Sequence, residues 1–486
     1  MSVPHWSPQT RWNKNTLKVL NEFSSNIASV ENVNSIIEKS DKFPIKFPTK
    51  SNRCNFLKTI VKEESLTSNI NSVYPVLHES VLKLCCHFIL LKRSHGNLIE
   101  KDYYRDLSLK DLINKMLFKR AVVFLNEDDS YLLLNNKSGS GKWETIGTPN
   151  QVISIKECMS YDEIKLSALL SVSSMTYFIN KGHRTNIGKY EADRSIVEEE
   201  GIIIGLIGPR FEKSNVMEYQ EIVIGKKQNT TSNGFGTSVE HTTPKLFTSF
   251  YDEECLTYEE AIERKKKVDG KFHVIYNDIL FDNDLYYKRL TISIDTLLIE
   301  ANSRAKQKST TAYIHVVGLG LGVWKISDHQ NKLFMDSFAK RLQCLGEKLQ
   351  YVSDICFAYI HESRCGSYGN GDIFSIKNHA KGGIKIHIFN REPHAKLVNE
   401  DAGKLLVVSY AWDGNALPGN EYWLGSLAGS GDPAAACSTQ ICEIHNPHIN
   451  SLVCADNLHV VTEDGVFSIE DYKKLTNDKE NLKGKV

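Results

Sequence analysis

No stretch of this chain is long and apolar enough to cross a bilayer: the best, residues 81–91 and 201–208, fall well short of the ~18 to 20 residues required. Neither sign of charge predominates, since Lys plus Arg and Asp plus Glu stand at 59 each. That balance removes the broad basic field expected of a protein that lives on nucleic acid or anionic lipid. The eleven cysteines are an odd number without paired spacing, so a reducing compartment is expected rather than a disulfide framework. Residues 1–14 lack the continuous apolar core of a secretory signal. No internal repeat or heptad pattern is visible. These absences predict a soluble, cytoplasmic protein with neither nucleic acid nor membrane as partner.

What is present is ordinary globular sequence, 41% hydrophobic and 24% charged over 486 residues, long enough for one large elaborated domain plus an accessory segment. Residues 1–115 carry apolar positions at helical spacing, such as Leu82, Cys85, Cys86 and Ile89, with polar interruptions like 65–72 that read as surface loops. A mostly helical N-terminal region is predicted there, with an α/β domain over 116–486. In that second part short β-rich runs at 121–125, 131–134, 202–207 and 221–224 precede an alternation of strands and helices. The later strands are predicted at 272–276, 312–317, 355–360, 384–389 and 405–411, with Phe334, Phe338, Leu342 and Leu345 marking a crossover helix. Residues 226–243, rich in Asn, Thr, Ser and Gly, read as a long surface loop.

The strand at 312–317 runs into Gly318, Leu319, Gly320, Leu321 and Gly322, then Trp324 and a helix start near Asp328. Glycine permits close approach of a pyrophosphate, and a helix N-terminus adds partial positive charge, so the segment has the parts of a phosphate cradle. A tight turn with glycines chosen for conformation is the alternative. The dinucleotide fingerprint G-x-G-x-x-G fails at Val323, and residues 139–143 lack the elements of a P-loop.

The densest chemistry lies at 405–434. A strand leads through Trp412 to Asp413 and Asn415, then to Glu421, and on through Gly429, Ser430, Gly431 and Asp432 to Pro433. Asp432 reads as an N-cap with Pro433 as first helical residue, so 430–432 forms a second candidate anion site. Asp413 and Asn415 fall just past a strand's carboxyl end, where open α/β sheets place ligands. Breaking an N-glycosidic bond requires a carboxylate to stabilise positive charge or activate water, together with acceptors for ribose hydroxyls. The plainer reading makes Asp413 and Asn415 a turn, Glu421 a solvated acid and Asp432 a cap. Trp324, Trp412 and Trp423 are either core or a wall for a base. Cys437, Cys442, His445 and His448 do not suit one metal ion, because in a continuous helix the two cysteines stand about 500° apart at ~100° per residue.

At these residues the sequence resembles the macrodomain class, and more closely the macrodomain-like ADP-ribosylhydrolases typified by the bacterial effector MavL and its eukaryotic relatives. Residues 413–432 resemble that class's first strand–loop–helix element and 318–324 its second, in reversed order along the chain. The resemblance implies an α/β fold, a macrodomain-like mixed sheet flanked by helices. It also implies hydrolysis of ADP-ribose from arginine on a modified protein, with ubiquitin as candidate substrate, ADP-ribose as ligand or product, and no required cofactor or metal. Asp413, Glu421 and Asp432 are the implied catalytic acids. Gly318, Leu319, Gly320, Leu321, Gly322, Trp324, Trp412, Asn415, Gly429, Ser430 and Gly431 are the implied ligand-binding residues. Residues 177–186 resemble, loosely, a piece of poly(ADP-ribose) glycohydrolases, although His183 and Arg184 read as surface residues. A non-catalytic ADP-ribose reader and a nicotinamide-dependent oxidoreductase are the alternatives.

Overall fold

Ten of the β-rich runs assemble into one sheet. They are β1 (Tyr74–His78), β2 (Leu170–Tyr177), β3 (Glu200–Leu206), β4 (Ala312–Val316), β5 (Val352–Phe357), β6 (Ile373–Ser375), β7 (Gly383–Ile388), β8 (Leu405–Ala411), β9 (His459–Thr462) and β10 (Gly465–Ser468). The computed structural model describes residues 6–8, 12–26 and 30–483. Residues 1–5 and 9–11, on which the expectation of no secretory signal partly rests, lie outside the described residues. Across the sheet the order is β6-β7-β5-β4-β8-β3-β2-β1-β9-β10.

The five strands from β7 to β3 are mutually parallel, and β4 and β5 are buried along their whole length, as the covered faces of a parallel sheet require. Strand alternation sends Ile314, Phe357 and Val407 into the main core, and Tyr313, Cys356, Leu406 and Val408 into a smaller core on the opposite face with Phe178 and Leu397. Mixed α/β architecture, a sheet flanked by helices, is therefore what the chain adopts. No described helix is long and apolar enough to cross a membrane.

Two of the longer helices, α1 (Glu79–His95) and α3 (His329–Leu345), fall where the apolar spacing predicts them, the latter burying Phe334, Phe338, Leu342 and Leu345. Between them α2 (Asn283–Gln307) is buried over most of its length, its N-terminus capped by the Asp282 carboxylate, which accepts from the N–H groups of Asp284 and Leu285. The short α4 (Gly431–Ser438) follows β8.

Some local expectations are corrected. Residues 65–72 are not a loop but mostly the helix Glu63–Asn71, because Leu66 and Ile70 share a face and are buried. Residues 221–224 begin as the helix Tyr219–Ile222 and supply only Val223–Ile224 as strand. That strand pairs with Ile279–Asp282, which also takes Phe272–Tyr276, in a small sheet apart from the main one. The N-terminal 115 residues hold mainly helices, yet β1 sits inside the main sheet between β2 and β9. Residues 226–243 are mostly irregular as expected, apart from the 3-10 turn Thr231–Asn233 and Thr243, which opens the helix Thr243–Phe250. They are held by the side-chain amides of Gln228 and Asn233 on nearby carbonyls and by Glu260 on Thr237.

Candidate functional site

At the carboxyl ends of the parallel strands lies a cavity of about 520 Å³, the edge at which open α/β sheets bind ligands and a size suited to a nucleotide-like molecule. Gly318, Leu321 and Gly322 line it from the end of β4, and Gly431 and Ala434 from the start of α4. The two glycine-bearing segments singled out from the sequence thus meet across one cavity.

The first segment is held by close backbone packing. Gly320 has φ +71, and a Cβ at Gly208 would come within 2.3 Å of the Gly320 nitrogen, so the loops at 318–322 and 207–211 approach at a distance only glycine allows. Leu319 is buried as part of the core. The Trp324 carbonyl accepts from the Phe211 N–H at 3.1 Å, and its ring packs on the core rather than lining the cavity. Asp328 stands at the N-cap of α3 but pairs with Lys325 at 2.7 Å, while the Gln330 side chain accepts from the N–H groups of Ile326 and Ser327.

The second segment wraps over residues 120–124. The Ala121 N–H donates to the Asn415 carbonyl at 3.1 Å, the Leu417 N–H to the Ala121 carbonyl at 2.8 Å, and the Arg120 guanidinium to the Gly414 carbonyl. Asn420, at φ +36, is clamped on the backbone of Phe124, accepting from its N–H and donating to its carbonyl, each at 2.9 Å. The same amide donates to Asp413 Oδ2 at 2.7 Å. Asp432 is not an N-cap, since Ser430 holds that position and α4 begins at Gly431. Freed from capping, the Asp432 carboxylate accepts from the Asp413 N–H at 3.2 Å and the Gly419 N–H at 2.9 Å, tying the strand end to the helix start. Ser430 Oγ donates to Glu421 Oε1 at 3.1 Å, and Gly429, at φ +100, donates its N–H to the Arg184 carbonyl.

Three acids separated by up to nineteen positions are therefore gathered behind the Ala411 and Gly431 wall of the cavity, although none of them lines it, Asp432 buried and Asp413 and Glu421 half-buried. Burial and the nearby Glu421 charge push the Asp413 carboxyl up to about 7. Burial also raises Glu421, and burial together with both other acids raises Asp432 well above the usual carboxylate range. The three titrate as an interacting set. Glu421 Oε2 and Asn415 Oδ1 are buried without a hydrogen-bond partner, a costly arrangement that a ligand donor would relieve.

Other predicted positions have structural surroundings. Trp412 is buried, its indole N–H donating to the Ala416 carbonyl at 3.0 Å and its ring covered by the Arg120 guanidinium at 4.2 Å. Trp423 donates to the Pro418 carbonyl and packs on Phe43 and Phe47. Thr439 breaks the helix after α4, and Cys437, Cys442 and His448 each face a different carbonyl, of Leu427, Pro418 and Phe118. No group of three or more His, Cys, Asp or Glu side chains arranged to hold a metal ion occurs among the described residues.

The cavity also recruits residues that sequence reasoning passed over. Arg184 is exposed at its wall with no hydrogen bond or ion pair from its guanidinium to any described residue. Tyr359, just past β5, lines the cavity in a left-handed conformation, φ +59, and is 48% exposed. Such a backbone is strained for an aromatic residue and is common at ligand sites. Two buried histidines, His315 and His394, also line it. The only local signal for Tyr359 was its position after a strand, whereas Arg184 lies in 177–186, the segment that loosely resembles poly(ADP-ribose) glycohydrolases, and read there as a surface residue.

Comparison with known proteins adds to this geometry. Residues 34–475 match the family model described as ADP-ribosylhydrolase MavL-like. The chain is 39% identical over 488 residues to the ADP-ribosylarginine hydrolase CG2909 of Drosophila melanogaster, covering 96% of this chain and 94% of that one. It is 41% identical over 427 residues to a second Drosophila melanogaster ADP-ribosylarginine hydrolase, CG3568, covering 85% and 83%.

Proposed function

The chain belongs to the MavL-like ADP-ribosylhydrolase family, and on that premise we propose that it hydrolyses the N-glycosidic bond joining ADP-ribose to an arginine side chain of a modified protein, releasing free ADP-ribose. The observation that carries this reading is the cluster of Asp413, Glu421 and Asp432, three interacting carboxyls beside a nucleotide-sized cavity, with Asp413 poised at about 7. The two relatives named as ADP-ribosylarginine hydrolases support arginine as the linkage.

In this reading the diphosphate lies between residues 318–322 and 429–431, against backbone N–H groups and the start of α4, with the unpaired Arg184 guanidinium supplying charge. The distal ribose then reaches the acid loop. Asp413, oriented by the Asn420 amide, takes a proton from water, whose oxygen attacks the anomeric carbon. The bond to the guanidine nitrogen breaks, its electron pair staying on nitrogen, which regains a proton and leaves as arginine. Glu421, through its unpartnered Oε2, accepts from a guanidine N–H or ribose hydroxyl and stabilises the developing cation. Asp432 fixes the loop by its two backbone contacts. Carboxylates supply all of this chemistry, so the reading requires no metal or cofactor.

For the modified protein we propose ubiquitin, a choice supported by the resemblance to MavL-like enzymes alone. The proposed compartment is the cytosol, in keeping with eleven unpaired cysteines, most of them buried. The test is to incubate the full chain with one peptide ADP-ribosylated on arginine and another on serine, and to quantify ADP-ribose by mass spectrometry. Release from the arginine peptide is expected; binding of ADP-ribose without release would leave the chain a reader and contradict the proposal.

A further inference from the structure

Strand alternation places His315 of β4 on the same face as Tyr313, above the smaller core, and His394 reaches the same cavity from the segment after β7. Both rings are buried, at 0% and 2% exposure. Each has one nitrogen committed to a backbone carbonyl: His315 Nε2 to Arg391 at 3.1 Å and His394 Nδ1 to Asn180 at 3.0 Å. A carbonyl only accepts, so each of these nitrogens carries the hydrogen. The tautomers are thereby fixed, with lone pairs on His315 Nδ1 and His394 Nε2. His315 Nδ1 is buried without a partner, and His394 Nε2 has none among the described residues. Phe178 stacks on the His394 ring at 4.1 Å, and Gly182 lies against its Cε1 edge, which holds the ring in place. Burial, with the Arg391 charge beside His315, lowers the two imidazoles to about 4 and about 3, so both are neutral at pH 7.

Neutral imidazole lone pairs cannot hydrogen-bond phosphate oxygens, which also bear only lone pairs, and they suit a group that offers hydrogens. We propose that His315 and His394 form a two-acceptor site for the adenosine end of the ligand, an inference that rests on the ADP-ribose reading above. Position agrees with this. His315 pairs in register with Val408, five residues before Asp413. At ~3.3 Å per strand residue that places the His315 imidazole on the order of 10 Å or more from the acids, leaving room for the distal ribose and diphosphate between. Both the adenine 6-amino group and the 2′,3′-diol of its ribose carry the required donors. The apolar lining by Ile203, Val408 and Ala358 favours the flat base.

Calorimetry on the full chain tests the assignment with ADP-ribose, its inosine analogue, in which a carbonyl oxygen replaces the amine, and its 2′,3′-dideoxyadenosine analogue. The inosine analogue is expected to bind at least about tenfold more weakly, the effect of a lost buried hydrogen bond. His315→Phe and His394→Phe should weaken ADP-ribose by a similar factor and abolish the gap between ADP-ribose and the inosine analogue. A loss confined to the dideoxy analogue would also support the two-acceptor site, with the diol as its occupant. Should either variant fail to fold, the wild-type series decides: equal affinity for all three ligands overturns the histidine site while leaving the ADP-ribose reading intact. Absence of any ADP-ribose binding by the wild type would overturn both.

Discussion

Glu163 is as deeply buried as Asp432, and the two differ in what surrounds them. Glu163 takes Lys115 Nζ at 2.6 Å, the Tyr104 hydroxyl and the Ser160 N–H. Asp129, also buried, takes Arg210 at 3.0 Å and Lys213. Asp432 takes two backbone N–H groups and faces Asp413 and Glu421. In the body of the fold, then, each of these acids is neutralised by a cation, and burial costs little beyond what the pair recovers. Beside the cavity three acids are left to compete for protons. That competition opposes folding, and its persistence is the mark of a site kept for chemistry.

Removing one member of each set separates the two kinds of acid. Asp413→Asn should lower kcat by about 10² to 10⁴, as loss of a general base does, while the protein stays folded. Its melting temperature should rise, and the sign follows from linkage. The folded Asp413 carboxyl sits near 7, above its ordinary value of 3.8, so the folded state holds the proton more tightly. Stability is undiminished below the ordinary value and falls as pH rises through about 7. The gain from Asp413→Asn should accordingly be absent near pH 3 and largest near pH 8, as differential scanning fluorimetry across pH would record.

Lys115→Met makes the opposite test, stripping Glu163 of its cation. It should cost about 3 to 5 kcal/mol of stability in urea titration, with turnover per folded molecule unchanged. Next in size comes Asn420→Ala, which releases Asp413 from its orienting amide and should lower kcat about tenfold with little effect on KM. Smallest is Arg184→Ala, expected to raise KM about fivefold at constant kcat, since an exposed charge contributes about 1 kcal/mol.

The sheet's parallel centre was readable because β3 and β8 hold aliphatic runs and β4, β5 and β7 are short segments rich in Ile and Val set between helical stretches, and α3 because its apolar residues repeat at one face. Its β1 and β2 strands escaped notice: Tyr74–His78 contains Pro75, and Leu170–Tyr177 alternates with serines that are buried only because Ser173 and Ser174 find Glu300 and His445. The helix α2 was hidden by burial on nearly all sides, which erases the amphipathic pattern. For the site, the glycines and acids were visible as local motifs. The role of Asp432 was not, because the sequence Asp–Pro fits an N-cap and nothing local shows that its carboxylate turns back to Asp413 and Gly419. The cavity's far wall, from Arg184, Tyr359 and His394, comes from three distant loops and exists only in the fold.

The central claim is that Asp413, raised by burial and by the nearby Glu421 charge, activates water for hydrolysis of arginine-linked ADP-ribose. Its most direct test is the pH profile of kcat/KM on an arginine-ADP-ribosylated peptide for wild type and Asp413→Asn. The wild-type rate should climb with pH to a plateau above about 7, and the variant should be flat and at least about a hundredfold slower. A variant that turns over at the wild-type rate with the same profile would contradict the account.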